Sequence, residues 1–334
     1  MIRIAINGFG RIGRMVLRAI YENNYKGIKV VAINNRAQPE TSAFLLSQDT
    51  IHGKFNFDVK STKDELVIGK DKIQCYHESD PINCPWDEEK VDIVFECTGK
   101  FNSKDASYKH IEAGAKKVIV SAPCKEADQT VVYGINHKSI NKSDKVISVA
   151  SCTTNCLAPL AYVINKNFII EKGYMTTIHS YTTDQRLLDN SHKDLRRARS
   201  APNAMVPTST GAAKSLKLII PELEGKIDGI SVRVPTPNVS LVQLSFNSKK
   251  KINETLINNS LIKASKTYLK NIMGIETQPL VSSDYNHDSR SSIIDTQLTK
   301  VIHNNFGTVF SWYDNEWAFS NRMIDVALSI KNKI

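Results

Sequence analysis

A cysteine at the start of a helix is a ready nucleophile, and Ser151-Cys152-Thr153-Thr154-Asn155-Cys156 has the surroundings for one. The strand-like run Val146-Ile147-Ser148-Val149 precedes it and an apolar, helix-like run over residues 157–164 follows, so Cys152 falls at a strand-to-helix junction. A thiol on the first helical turn meets unpaired N–H groups and the positive end of the helix dipole, and both favour the thiolate. Cys156 lies one turn further in on the same face, where greater burial would make it structural. Pro159 breaks the helical pattern and predicts a kink or a shorter helix. A cysteine nucleophile also needs a base, and His179 ends an alternating run over residues 174–178. A lone histidine at a strand end is more often a core or surface residue than a catalyst, so these residues alone leave its role open.

Gly8-Phe9-Gly10-Arg11-Ile12-Gly13 follows a strand pattern at residues 2–6 and opens a helical one at residues 10–22, with Ile12, Val16, Ala19 and Ile20 on one face. In that context G-x-G-x-x-G predicts a dinucleotide loop: glycine tightens the turn, and the pyrophosphate meets the free N–H groups of the helix N-terminus. About 20 residues on, such folds carry an acid for the ribose 2′-hydroxyl. Here the second strand, residues 28–33, ends in Asn34-Asn35-Arg36. A neutral amide beside a cation leaves a phosphorylated cofactor chemically open; equally, Asn35 could cap the strand and Arg36 be solvated.

The elements that must position these groups follow from periodicity. Further strands are predicted at residues 93–95, 117–120 and 146–149, with a helix over residues 106–113 that Gly114 stops. Strands alternating with helices predict an N-terminal Rossmann domain, a doubly wound parallel sheet over residues 1–150. After Ser151 longer alternating strands, at residues 229–234, 239–246 and 307–313, predict an α+β catalytic domain with a mixed or antiparallel sheet over residues 151–314. A closing helix is expected over residues 315–330, and the C-terminal segment 315–334 is expected to join the first domain. Lys and Arg number 44 against 34 Asp and Glu, giving a net charge of +10, but the basic residues are dispersed apart from Lys249-Lys250-Lys251 and the Arg196–Arg199 cluster. That pattern suits a solvated surface with an anionic substrate site better than a nucleic-acid groove. The six cysteines match no metal or redox spacing, so neither a structural metal nor disulfides are expected. No apolar run reaches membrane-spanning length, and the first residues form a strand pattern rather than a leader, which predicts a cytoplasmic protein.

Five segments taken together resemble glyceraldehyde-3-phosphate dehydrogenase of the phosphorylating type: residues 6–14, residues 150–159, His192-Lys193-Asp194-Leu195-Arg196-Arg197-Ala198-Arg199, Thr208-Ser209-Thr210-Gly211-Ala212-Ala213-Lys214, and Trp312-Tyr313-Asp314-Asn315-Glu316-Trp317. The resemblance runs in order along nearly the whole chain. It implies that Cys152 attacks the aldehyde of glyceraldehyde 3-phosphate and that His179 activates the thiol. Inorganic phosphate then releases the thioester as 1,3-bisphosphoglycerate, in glycolysis or gluconeogenesis. It further implies Thr182 and Arg233 for the substrate phosphate, and Ser151, Thr153, Arg197, Thr210 and Gly211 for the attacking phosphate. Gly8, Gly10, Arg11, Ile12, Ser121 and Asn315 would serve NAD or NADP, and the family is tetrameric. Without the resemblance, the Arg196–Arg199 cluster also reads as a solvated face and Ser209-Thr210-Gly211 as a plain helix cap.

The chain departs from the NAD-restricted members at Asn35, where they carry aspartate, and at Asn190-Ser191, where they carry Leu-Pro on a loop reaching a neighbouring subunit's cofactor. Ser79 replaces an arginine frequent near the adenine. The departures at Asn35 and Asn190-Ser191 resemble the chloroplast and gluconeogenic members that accept NADP, and predict dual cofactor use; that at Ser79 alters one cofactor contact without pointing to either cofactor. Two alternatives stand beside this reading. One is the sister enzyme erythrose-4-phosphate dehydrogenase, against which Ser180-Tyr181-Thr182 and residues 208–214 speak. The other is a binding protein for nucleic acid or a surface, which nothing in the sequence requires.

Overall fold

The computed structural model describes residues 1–334. The chain forms two compact units, one of Met1–Tyr133, His137–Ala150 and Ser320–Ile334, the other of Gly134–Asn136 and Ser151–Phe319.

In the first unit the strands are β1 (Ile2–Asn7), β2 (Ile28–Asn34), β3 (Val59–Ser61), β4 (Glu65–Ile68), β5 (Asp71–Tyr76), β6 (Ile93–Glu96), β7 (Lys117–Val120), β8 (Gln129–Thr130) and β9 (Val146–Ser148). They form one sheet in the order β3-β4-β5-β2-β1-β6-β7-β9-β8. From β5 to β8 every pairing is parallel. Ile4, Ala5 and Ile6 of β1 and Val94 and Phe95 of β6 are buried on both faces, which is why these strands read as apolar runs. β3 and β4 add an antiparallel edge that periodicity did not mark, because β3 is three half-exposed residues and the buried alternation of β4, Leu66 and Ile68, spans only four. Helices α1 (Arg11–Glu22), α2 (Pro39–Ser47) and α3 (Lys104–Glu112) complete the crossovers, and Val16, Ala19 and Ile20 of α1 are buried. Gly114, just past α3, has φ +106°, and a Cβ there would lie 2.5 Å from the Asp87 Cβ, so only glycine ends this helix as built.

The second unit carries a seven-stranded mixed sheet. Its strands are β10 (Ile170–Ser180), β11 (Val206–Ser209), β12 (Ile227–Val234), β13 (Ser240–Ser248), β14 (Met273–Glu276), β15 (Ser292–Ile302) and β16 (Phe306–Tyr313), in the order β11-β12-β10-β13-β16-β15-β14. The pairs β10–β12 and β14–β15 are parallel and the others antiparallel. Helix α4 (Cys152–Phe168) packs on β10, β13, β15 and β16, and α5 (Ala212–Ile219) and α6 (Glu254–Lys266) pack against α4. α4 runs through Pro159 to Phe168, so of the two sequence expectations the shorter helix is not found. An interior proline costs about 3 kcal/mol, whereas Leu157, Leu160, Val163 and Ile164 are each fully buried, at about 1.5–3 kcal/mol apiece. Packing outweighs the lost hydrogen bond. The last helix, α7, runs from Trp317 to Ser329 rather than from residue 315, because the Asp314 carboxylate accepts the N–H groups of Glu316 and Trp317 and sets its start.

Candidate active site

Cys152 is the first residue of α4, and Ser151 caps the helix by accepting the Thr154 N–H at 3.1 Å. The preceding residue, Ala150, has φ +56°, an unfavourable conformation for a residue with a Cβ, and it sits where the chain turns into the helix. Cys152 Sγ lies 3.6 Å from His179 Nε2. The other ring nitrogen, Nδ1, donates to the Ser180 carbonyl at 2.7 Å, which leaves Nε2 free to accept a proton from the thiol. Parallel pairing of β10 with β12 sets His179 beside Arg233, whose Nη1 donates to the same Ser180 carbonyl at 3.2 Å and to Thr182 Oγ1 at 3.4 Å. The buried Arg233 Nε has no partner in the protein. Orphaned guanidinium N–H groups of this kind call for an anion.

Burial pushes the Cys152 thiol up, while Arg233 and the N–H and hydroxyl of Thr153 pull it down. Burial and then Arg233 push His179 down to about 3. The N–H groups of the first turn thus act in the direction the sequence suggests, but burial is the larger effect. Burial thus disfavours the charge on each group, and Arg233 favours the thiolate while disfavouring the imidazolium. Cys156 is fully buried against Ser311, and burial pushes its thiol up to about 12.

Thr153 Oγ1 and Thr177 Oγ1 each hydrogen-bond the Tyr313 hydroxyl at 2.9 Å, so Tyr313 ties α4 to β10 beneath the reactive pair. Sequence reasoning gave Tyr313 no role, although it lies in the Trp312–Trp317 segment. Asn315 Oδ1 accepts the hydroxyls of Ser180 at 2.8 Å and Ser240 at 3.0 Å, which fixes the orientation of its amide. Arg197 donates from Nε to Thr208 at 2.9 Å, from Nη2 to the Ser209 carbonyl at 3.2 Å and from Nη1 to Asp184 at 2.6 Å. Gly211 begins α5 without a side-chain cap, and Thr210 Oγ1 accepts the Ala212 N–H at 3.2 Å. Asn190 and Ser191 are exposed, with the Asn190 Oδ1 accepting the Ser191 N–H at 2.7 Å.

In the first unit Gly8, Gly10, Asn35 and Arg36 line a groove of about 310 Å³ together with Asn7, Asn34, Glu78, Ser79, Cys97, Thr98, Lys100 and Phe101. It lies at the carboxyl ends of β1, β2 and β6, where the strand order reverses, the usual ligand position in such sheets. The glycines differ in what they require. A Cβ on Gly8, whose φ is +92°, would lie 2.7 Å from the Thr98 nitrogen, and one on Gly13 would lie 2.2 Å from the Gly8 oxygen. At Gly10 a Cβ would meet nothing within 4 Å, so no protein atom there requires glycine. Gly10 caps α1 with no side-chain hydrogen bond, leaving first-turn N–H groups for an anion. These features fit a dinucleotide pyrophosphate. Arg11, Ile12 and Ser121 are not among the groove's lining. The Arg11 guanidinium pairs with Asp49, so only its backbone remains for a phosphate. Ser121 follows β7 and donates its N–H to the Glu96 carbonyl at 2.9 Å.

No helix is long and apolar enough to cross a membrane. The family description "Glyceraldehyde 3-phosphate dehydrogenase, NAD binding domain" matches residues 2–104, and "Glyceraldehyde 3-phosphate dehydrogenase, C-terminal domain" matches residues 151–315. Among similar proteins, the glyceraldehyde-3-phosphate dehydrogenase of Xanthobacter flavus is 51% identical over 329 residues, 98% of each chain. That of Cereibacter sphaeroides is 50% identical over 329 residues, again 98% of each. That of Pseudomonas aeruginosa is 49% identical over 330 residues, with the same coverage.

Proposed function

The chain belongs to the glyceraldehyde-3-phosphate dehydrogenase family, NAD-using oxidoreductases of aldehydes, and from that premise we propose that it converts D-glyceraldehyde 3-phosphate to 1,3-bisphosphoglycerate through a Cys152 thioester. The observation that carries this reading is the 3.6 Å contact between Cys152 Sγ and His179 Nε2 at the N-terminus of α4. Cys152 passes its proton to Nε2 and its sulfur adds to the aldehyde carbon, and the imidazolium hands that proton to the new alkoxide to give the hemithioacetal hydroxyl. Nε2 then withdraws the hydroxyl proton of the hemithioacetal as the C–H bond breaks. When bound, the nicotinamide supplies the acceptor for that hydride. The carbon–sulfur bond survives as a thioester, which a phosphate oxygen attacks, expelling the Cys152 thiolate.

Arg233 and Thr182 are the substrate-phosphate ligands in this reading, supported by the partnerless buried Nε of Arg233. Ser151, Thr153, Arg197, Thr210 and Gly211 serve the attacking phosphate, and an anion there replaces Asp184 as the partner of Arg197 Nη1. Gly8, Gly10, Asn35 and Arg36, with the backbone of Arg11 and Ile12, hold the cofactor, and Ser121 and Asn315 serve its nicotinamide end. Exposed Leu187, Leu188, Leu195 and Met205 offer apolar surface to a subunit contact, in keeping with the homotetramer that the family resemblance implies.

A second cofactor, NADP, is favoured by one feature. Among the side chains lining the groove Arg36 and Lys100 are cations and Glu78 is the single acid, while Asn35 brings no charge against a 2′-phosphate. Asn190 and Ser191, exposed and polar, add no apolar barrier. One set of assays tests both statements. Wild-type protein should reduce NAD and NADP in the presence of glyceraldehyde 3-phosphate and phosphate, and Cys152→Ser should bind NAD but not turn over. Turnover by Cys152→Ser would falsify the thioester route, and no activity with NADP would remove the dual-cofactor reading alone.

A further inference from the structure

Beneath the groove lies a polar cluster that the chemistry above does not use. Glu96, at the end of β6, and His110, on α3, are both fully buried. Trp86 Nε1 donates to His110 Nδ1 at 2.9 Å, which leaves the ring's proton on Nε2, directed at Glu96 Oε2 at 3.1 Å. Asn7 Nδ2 donates to the same oxygen at 2.5 Å, and Thr98 donates its N–H to Oε1 at 2.8 Å and its hydroxyl to the same atom. Four donors converge on one carboxylate, whose two oxygens act here as acceptors. From Asn7 the chain of bonds continues outward: Asn34 Nδ2 donates to Asn7 Oδ1 at 2.8 Å, and the Glu78 N–H donates to Asn34 Oδ1 at 2.8 Å.

Asn7, Asn34, Glu78 and Thr98 are all groove-lining residues, and they come from the ends of β1, β2 and β6 and from the loop after β5. No backbone ladder joins all four. The one group to which they are all linked, directly or through one or two amides, is the Glu96 carboxylate. Thr98 also lies where it limits Gly8, since a Cβ on Gly8 would touch the Thr98 nitrogen. We propose that Glu96, oriented by His110 and Trp86, is a positioning residue that holds the four walls of the cofactor groove in the spacing NAD requires. Neither His110 nor Trp86 lines the groove; His110 reaches it through Glu96, through a 3.4 Å approach of Nε2 to Asn7 Nδ2 and through an edge-on ring contact with Phe101.

The inference rests on the groove's holding NAD, and the test separates the two. Calorimetry measures the NAD Kd of wild type, Glu96→Gln, Trp86→Phe, His110→Gln and His110→Leu, alongside each unfolding midpoint and the KM and kcat for NAD. Glu96→Gln keeps the acceptor for Thr98 but turns an NH2 toward the Asn7 and His110 donors. It should raise Kd and KM about tenfold, the effect of losing one or two hydrogen bonds, with kcat at saturating NAD changed by less than about twofold. Trp86→Phe should raise Kd about threefold from a distance. His110→Gln still offers Glu96 a donor and should bind more tightly than His110→Leu. Wild-type protein that bound no NAD would overturn the groove reading and this inference with it. Wild-type binding with unchanged Kd in folded Glu96→Gln, or kcat falling in step with stability, would overturn the inference alone. If Glu96→Gln does not fold, equal NAD affinity in wild type, Trp86→Phe and both His110 variants overturns it.

Discussion

Replacing His179 with asparagine tests how the thiol is activated. The variant keeps a polar side chain at the position but removes the imidazole that can take the Cys152 proton. Two unit charges at the observed 3.6 Å attract by about 4–5 kcal/mol at an effective dielectric near 20, and by only about 1 kcal/mol in bulk water. At about 1.4 kcal/mol per pKa unit the first figure is roughly three units and the second less than one. Burial pushes the thiol up, so without imidazolium only Arg233 and Thr153 remain to favour the thiolate. The pH midpoint of Cys152 alkylation by iodoacetamide should therefore rise in His179→Asn, by between about one and three units. The label reports on Cys152 because burial holds Cys75 and Cys124 at about 11 and Cys84 and Cys156 at about 12. Mass spectrometry of the labelled peptides confirms the site. A midpoint that moved by less than about half a unit, or moved down, would show that His179 does not hold the thiolate and that Arg233 with the helix terminus suffices.

The remaining predictions concern the cofactor loop. Burial raises Asp49, but Arg11 and the N–H groups of His52 and Ile51 outweigh it and bring the carboxyl from 3.8 down to about 2. The folded-state value lies below the unfolded one, so the stabilisation is complete above about pH 4 and is lost as pH falls through about 2. Asp49→Asn should cost roughly 2 kcal/mol at neutral pH, and its stability by urea titration should approach wild type near pH 2; an equal gap at both pH values would refute the assignment. Gly10→Ala, with φ −80° and no neighbour within 4 Å, should leave the unfolding midpoint unchanged and weaken NAD. Gly13→Ala, with its Cβ 2.2 Å from the Gly8 oxygen, should lower both stability and affinity. Identical behaviour of the two variants would show that the loop's glycines share one role.

What could be read from the sequence was what is local. The βαβ unit with its glycine loop and the cysteine at a helix start each lie within about 30 residues, where periodicity and turn chemistry carry the information. The edge strands β3 and β4 were not visible because three and four residues are too few for an alternation to stand out, even where Leu66 and Ile68 of β4 alternate inward. Pro159 misled because a propensity rule ignores what α4 packs against. The contacts that orient the reactive groups are long-range: Thr153 meets Tyr313 across 160 residues, and Asn7 meets Glu96 across 89. No spacing rule links such pairs, and Tyr313 and Glu96 look like ordinary strand residues until the sheet order is known.

The precision of the reactive cluster comes from strand register rather than from a motif. His179 and Arg233 are paired residues on the parallel strands β10 and β12, and both side chains depend on which face their strand presents. A slip of one residue would send one of them to the opposite face and separate the imidazole from the guanidinium. Four pairs earlier in the same ladder, Met175 opposes Gly229, where a Cβ would lie 2.2 Å from the Met175 oxygen and 2.4 Å from its Cγ. Only glycine allows the two strands to approach there with Met175 buried. A residue with no side chain thus protects the alignment on which the charges around Cys152 depend, just as the open side of Gly10 makes room in the cofactor groove.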